Sequence, residues 1–225
     1  MERMMRRLFV VTVLSFIASS TTPASADHAG GRLEFRGGHV MFEVVGQVNN
    51  LAAGPGTPLG SSNQFGYLSS LDGVSDVFSD PLPANQNETT AALTFFTNVV
   101  TTRITAHGPF SIVVRDGVTT IYRIMAPASF AAPDSFRAGT PVLSANIHQQ
   151  VIVDTVERTF TVVNMNTVTA TARFELGGDP IRIGRRGDVF RTTLSGVLRI
   201  RDGVPPPTGH FAGFAVAVQP NVEHH

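Results

Sequence analysis

Between Val168 and Leu176, apolar and polar residues alternate without a break. Val168, Ala170, Ala172, Phe174 and Leu176 fall on one side, and Thr169, Thr171, Arg173 and Glu175 on the other. Successive side chains point to opposite faces only in a strand, so a chain with this period buries one face as β-structure. The same period runs through Phe190, Leu194, Leu198 and Ile200 against Arg191, Thr193, Ser195, Arg199 and Arg201. It recurs in Val40, Phe42, Val44 and Val48 against His39, Glu43 and Gln47. Thr, Val and Phe fill these segments, as a pleated surface prefers. No long amphipathic helical pattern competes with them, so the expectation is an all-β fold.

Turn residues divide the pattern into about eight strands. Ser111–Arg115 and Val118–Tyr122 flank Asp116-Gly117, which reads as a two-residue hairpin turn because that dipeptide tolerates positive φ. Asp-Gly-Val recurs at Asp72 and Asp202, where further strands are expected to end. Val151–Val153 and Phe160–Val163 suggest a second hairpin with a longer turn. Loops rich in Pro, Gly, Asn and Ser are expected at 49–63, 72–90, 126–141 and 202–208.

So many antiparallel strands leave edges that must be managed, and closure into a barrel removes them altogether. Thr94, Phe96, Asn98, Val100, Thr102 and Ile104 would share one strand face. That face mixes polar and apolar residues as a cavity wall does, which favours a single antiparallel barrel over the alternative, a β-sandwich.

The first residues have the form of an export signal. Arg3, Arg6 and Arg7 precede an apolar run from Leu8 to Ile17, and Ala24-Ser25-Ala26 offers a cleavage site. The run is roughly half the 20 residues a membrane span needs. The expectation is therefore cleavage after Ala26, a single domain over 27–225, no integral membrane segment after cleavage, and a secreted or periplasmic location. That segment's loss leaves 14 basic and 16 acidic residues, a balance with no electrostatic footprint for nucleic acid.

Two absences narrow the chemistry. The chain has no cysteine, which excludes disulfides, thiol nucleophiles and thiolate metal sites. It has no lysine, which excludes a Schiff-base mechanism. Neither a nucleophile elbow nor a phosphate loop is present. Histidine pairs with metal-site spacing are missing too, so no metal and no cofactor is expected. Asp27-His28 and the terminal His224 and His225 do not alter this expectation.

Polar residues on predicted strands are the remaining candidates. Glu43 is the candidate catalytic group, a general base or charge stabiliser if its face points into a cavity. His39 and Gln47 share its face. Four strand residues rise about 13 Å, so His39 and Glu43 cannot share one metal ion, and Arg103 and His107 fall to the same argument. Asn98, Arg103, His107 and the stripe Asn146, His148 and Gln150 are candidate ligand contacts. The stripe is either a wet outer face or a cavity wall.

One segment is similar to a family. Glu88-Thr89-Thr90, Leu93–Phe96 and Ile104–Phe110, which ends His107-Gly108-Pro109-Phe110, resemble a stretch of the allene oxide cyclases. Met41-Phe42-Glu43-Val44 resembles their early strand, although Val45 stands where that family has an asparagine. These enzymes and the related dirigent proteins are eight-stranded barrels that steer a reactive apolar intermediate without a cofactor. Three functions stay open. One is a barrel that binds a small, mostly apolar molecule; another is a cofactor-free cyclase or isomerase; the third is a structural domain with no pocket.

Overall fold

The computed structural model describes residues 32–33, 35, 37–201 and 204–218. The expected export segment 1–26, Asp27-His28, the Asp202-Gly203 turn and the terminal histidines lie outside them. Among the described residues there is no α-helix, and no helix long and apolar enough to cross a membrane.

Among the described residues eleven strands form two sheets. A short β1 (Arg32–Leu33), β8 (Phe174–Leu176) and β9 (Asp179–Ile183) make a three-stranded side sheet. The others are β2 (Val40–Asn50), β3 (Ser62–Leu71), β4 (Leu93–His107), β5 (Phe110–Arg123), β6 (Thr140–Asp154), β7 (Thr159–Thr171), β10 (Val189–Arg201) and β11 (Val204–Val218). These eight close into an antiparallel barrel in the order β10-β11-β2-β3-β4-β5-β6-β7. The barrel expectation holds. The sandwich does not, because β7 pairs with β10 and the ladder has no free edge.

Period two fills the interior. Phe42, Val44 and Val48 of β2, Phe160 and Val162 of β7, and Phe190 and Leu194 of β10 are buried in one core. Small residues make room for the large ones. Phe211 of β11 lies between Gly196 and Gly46 on its two neighbouring strands. A Cβ on Gly46 would fall 2.7 Å from the Phe211 ring. The side sheet adds Leu176, Ile181 and Ile183 to the same core, and Phe35 meets Phe190 edge-on at 5.7 Å. It therefore packs against the end of the barrel where β10 begins. The tight β4/β5 and β6/β7 connections mark the opposite end.

Two local expectations are overturned. Asp116-Gly117 is not a turn; it lies inside the continuous strand β5, opposite Val100 and Val99 of β4. Gly117 does not have a positive φ. It is needed because a Cβ there would lie 1.9 Å from the Asn98 carbonyl oxygen, the close backbone approach that glycine permits within a strand. The turn itself is at Gly108-Pro109, where Gly108 has φ +56°. The stretch 202–208 is likewise not all loop, since β11 starts at Val204. By contrast, β3 does end at Asp72-Gly73, and the β6/β7 hairpin pairs Val151 with Val162.

The face of β4 carrying Thr94 and Phe96 is the outer one, contrary to expectation; Phe95 and Thr97 face inward. Residues 126–139 fold over that outer face and form a second small core. Phe65, Phe96, Ile124, Ala128 and Phe136 are buried in it. Thr94 Oγ1 donates to the Phe136 carbonyl at 2.7 Å, and the Arg137 guanidinium stands 4.7 Å over the Phe96 ring.

Candidate functional site

The alternation that folds the barrel also sorts its polar residues. Phe42, Val44 and Val48 are inside, so Glu43 and Gln47 are turned to the outer wall; Glu43 is exposed and Gln47 half-buried. His39 is exposed just before β2. The placement of His39, Glu43 and Gln47 inside a cavity is thereby corrected, and Glu43 lines neither interior cavity. Asn98 is exposed on the outer face of β4. Arg103 and His107 are exposed beyond a bulge in that strand between Thr101 and Arg103. Asn146, His148 and Gln150 form the wet stripe of β6, where His148 Nδ1 lies 2.7 Å from Asp116 Oδ1. The structure does not bring these nine residues together. Their periodicity says which residues share a face, not which face the barrel encloses.

The polar residues that do converge are others. Gln64 of β3, Arg115 of β5, Gln149 of β6 and Asn164 of β7 project into the barrel and are buried. Gln64 Nε2 donates to Gln149 Oε1 at 3.0 Å, and Gln149 Nε2 donates to Asn164 Oδ1 at 3.0 Å. Arg115 Nη1 donates to Gln149 Oε1 and to Ser62 Oγ, both at 3.1 Å. These side chains make a polar belt across the interior. Gln149 had a signal in the sequence, a lone polar residue between Ile147 and Val151 on an apolar face, whereas Gln64 follows Ser62 and Asn164 precedes Asn166 on faces that already carry polar residues.

The belt separates two small cavities that share Gln64, Leu194 and Phe211. One, of about 40 Å³, is walled by Phe42, Leu68, Phe95, Ile121 and Phe190, with Asn166 and Thr192 as polar neighbours. The other, of about 50 Å³, reaches Arg115 and Asn50 and is walled by Val48, Val151, Phe160, Val162 and Leu198. Each has room for about three water-sized groups.

Arg115 is the unusual member. Only 6% of it is exposed, yet among the described residues no carboxylate pairs with it. Burial holds its pKa down to about 10, so it is still a cation at neutral pH. Taken as a cost of folding, that shift is on the order of 3 kcal/mol. The cost is present in full below pH 10 and lessens only as pH rises beyond it, because folding disfavours the proton. Arg115 Nε also has no hydrogen-bond partner, and neither does Thr101 Oγ1, which is buried directly opposite Arg115 in the β4/β5 ladder.

Other features carry less. Among the described residues no cluster of three or more His, Asp or Glu could hold a metal ion. A broader groove of about 410 Å³ lies between residues 76–92, Arg123–Pro127 and Leu176-Gly177. Its cation, Arg123, is occupied in tying the carbonyls of Ala92, Ile124 and Glu175 together. Tyr67, under the outer small core, has its phenol pKa raised by burial and secondarily by Glu88. Compared with known proteins, the chain matches no family model, no curated protein and no solved structure.

Proposed function

We propose that this chain is a small-molecule-binding barrel, secreted or periplasmic, whose site is the interior on the Arg115 side of the polar belt. The observation that carries the proposal is the combination of an apolar wall with a few buried, convergent polar groups, the usual composition of a ligand site. The guest is compact and mostly apolar, since the walls are Val48, Val151, Phe160, Val162 and Leu198. At about 50 Å³ the cavity holds about three non-hydrogen atoms without adjustment; a guest as large as butanamide has to displace its walls.

The likeness to allene oxide cyclases and dirigent proteins supports the same kind of use, a barrel sheltering an apolar guest. A cyclase would need an ionisable group inside, and Glu43 is outside. Arg115 is the ionisable side chain among those lining the two cavities. Titration of methyl-labelled protein with butanamide tests the proposal. The Val151, Val162 and Leu194 methyl resonances are expected to shift saturably, and Leu194→Phe, which fills both cavities, to abolish the shift. Resonances that stay put at every concentration would leave a structural barrel with no pocket.

A further inference from the structure

We infer that the guest is an acid, a short-chain apolar carboxylate whose head group is received by Arg115. This inference rests on the binding site proposed above and names the class of molecule it takes. Two observations carry it. Arg115 is buried among apolar walls without a counter-charge, although a buried charge is ordinarily paired. Its Nη1 edge is spent on Ser62 and Gln149, whereas Nε has no acceptor.

A guanidinium N–H is a donor only, so an acceptor carrying negative charge satisfies it. Charge-assisted hydrogen bonds of this kind are roughly twice as strong as neutral ones, and the guanidinium fork fits the planar carboxylate. The rest of the cavity sets the tail. Beyond Arg115, Gln64 and Asn50 the walls are apolar, chiefly Val48, Val151, Phe160, Val162 and Leu198, which favours an apolar tail. The belt amides Gln64, Gln149 and Asn164 bond to one another rather than presenting carboxylates that would repel an anion.

Isothermal titration of the folded protein with butanoate, butanamide and nitrate tests the inference. Butanoate and butanamide have nearly the same shape and differ in charge; nitrate has the planar charge and no tail. Wild type is expected to bind butanoate at least tenfold more tightly than either of the others. Arg115→Gln is expected to erase the preference over butanamide. Equal affinity of wild type for butanoate and butanamide would overturn the inference and leave the binding site standing. Nitrate as tight as butanoate would also overturn it, showing an inorganic-anion site. No binding of any probe would remove the site and the inference with it. The wild-type comparison needs no variant to fold.

Discussion

The two halves of the barrel interior are built from the same strands and handle polar groups in opposite ways. On the side of Asn166 the polar groups that the described residues turn into the barrel have partners. Asn166 Nδ2 donates to the Phe190 carbonyl at 3.2 Å and to Thr192 Oγ1 at 3.1 Å, while the Thr97 and Thr119 hydroxyls bond at 2.6 Å. On the side of Arg115 a cation lacks its counter-charge, and two polar atoms lack partners. Satisfied buried polar groups fix strand register and packing; unsatisfied ones cost free energy and are retained only where something else meets them. The difference distinguishes polar residues that hold the fold from polar residues held open by it.

The largest expected effect comes from making the same chemical change in both halves. Asn166→Asp would place a carboxylate against a carbonyl with no cation near, and is expected to cost about 3 kcal/mol or more at pH 7. Its folded pKa would be raised, so the charge penalty grows as pH rises above about 4 and is relieved on acidification. Gln149→Glu would instead supply Arg115 with its missing partner and is expected to cost at least 2 kcal/mol less, by the order of magnitude of a buried pair. Its folded pKa would be depressed, so its stabilising contribution is lost as pH falls. Urea denaturation of both variants from pH 4 to 8 reads these opposite slopes; parallel slopes would show that the halves do not differ.

Next in size is Arg115→Met. Gln149 Oε1 keeps its bond from Gln64, so removing the cation orphans no amide. The variant is expected to be more stable than wild type by about 1–2 kcal/mol in ligand-free buffer. Thermal unfolding checks it, and a lower midpoint would mean that the guanidinium is a structural strut. A smaller effect sharpens the other half. Thr97→Val alone is expected to cost about 1 kcal/mol, whereas Thr97→Val with Thr119→Val is expected to be nearly neutral because both partners go together. The smallest is Glu43→Gln on the exposed outer wall, expected to change stability by less than about 0.5 kcal/mol and butanoate binding not at all.

How far the sequence could be read follows from the same geometry. Alternation makes most of the barrel strands legible, because burial of one face depends on local spacing alone, although β5 reads as two strands divided at Asp116-Gly117. The enclosed face is set by the closed ladder as a whole, and β4 shows why local pattern fails there. Its outer Thr94 and Phe96 are buried as well as its inner Phe95 and Thr97, since residues 126–139 cover the outside. Bulges compound the difficulty. One between Ala215 and Val216 shifts the pairing of β11 with β2 near Val40, which is exposed although it continues the apolar series of Phe42 and Val44. Arg115 was hidden by a plausible turn. With Asp116-Gly117 read as a hairpin tip, Arg115 stands at a solvent-facing corner; with the strand continuous, the same residue is carried to the middle of the wall.

Closure of the ladder has one more consequence. Strands β2 and β11, the first and last of the barrel in sequence, are direct neighbours, and Val40 pairs with Val216. Gly38 N donates to the Ala217 carbonyl at 3.2 Å, so the two ends of the barrel chain lie side by side. In hydrogen-bonding terms the barrel is a ring whose starting point is arbitrary. Joining residue 218 to residue 38 through a short linker and reopening the chain at Gly108-Pro109 would preserve all eight pairings while exchanging which strands come first. Such a circular permutant would place Arg115 and its neighbours near the new amino terminus and leave the cavity they line intact.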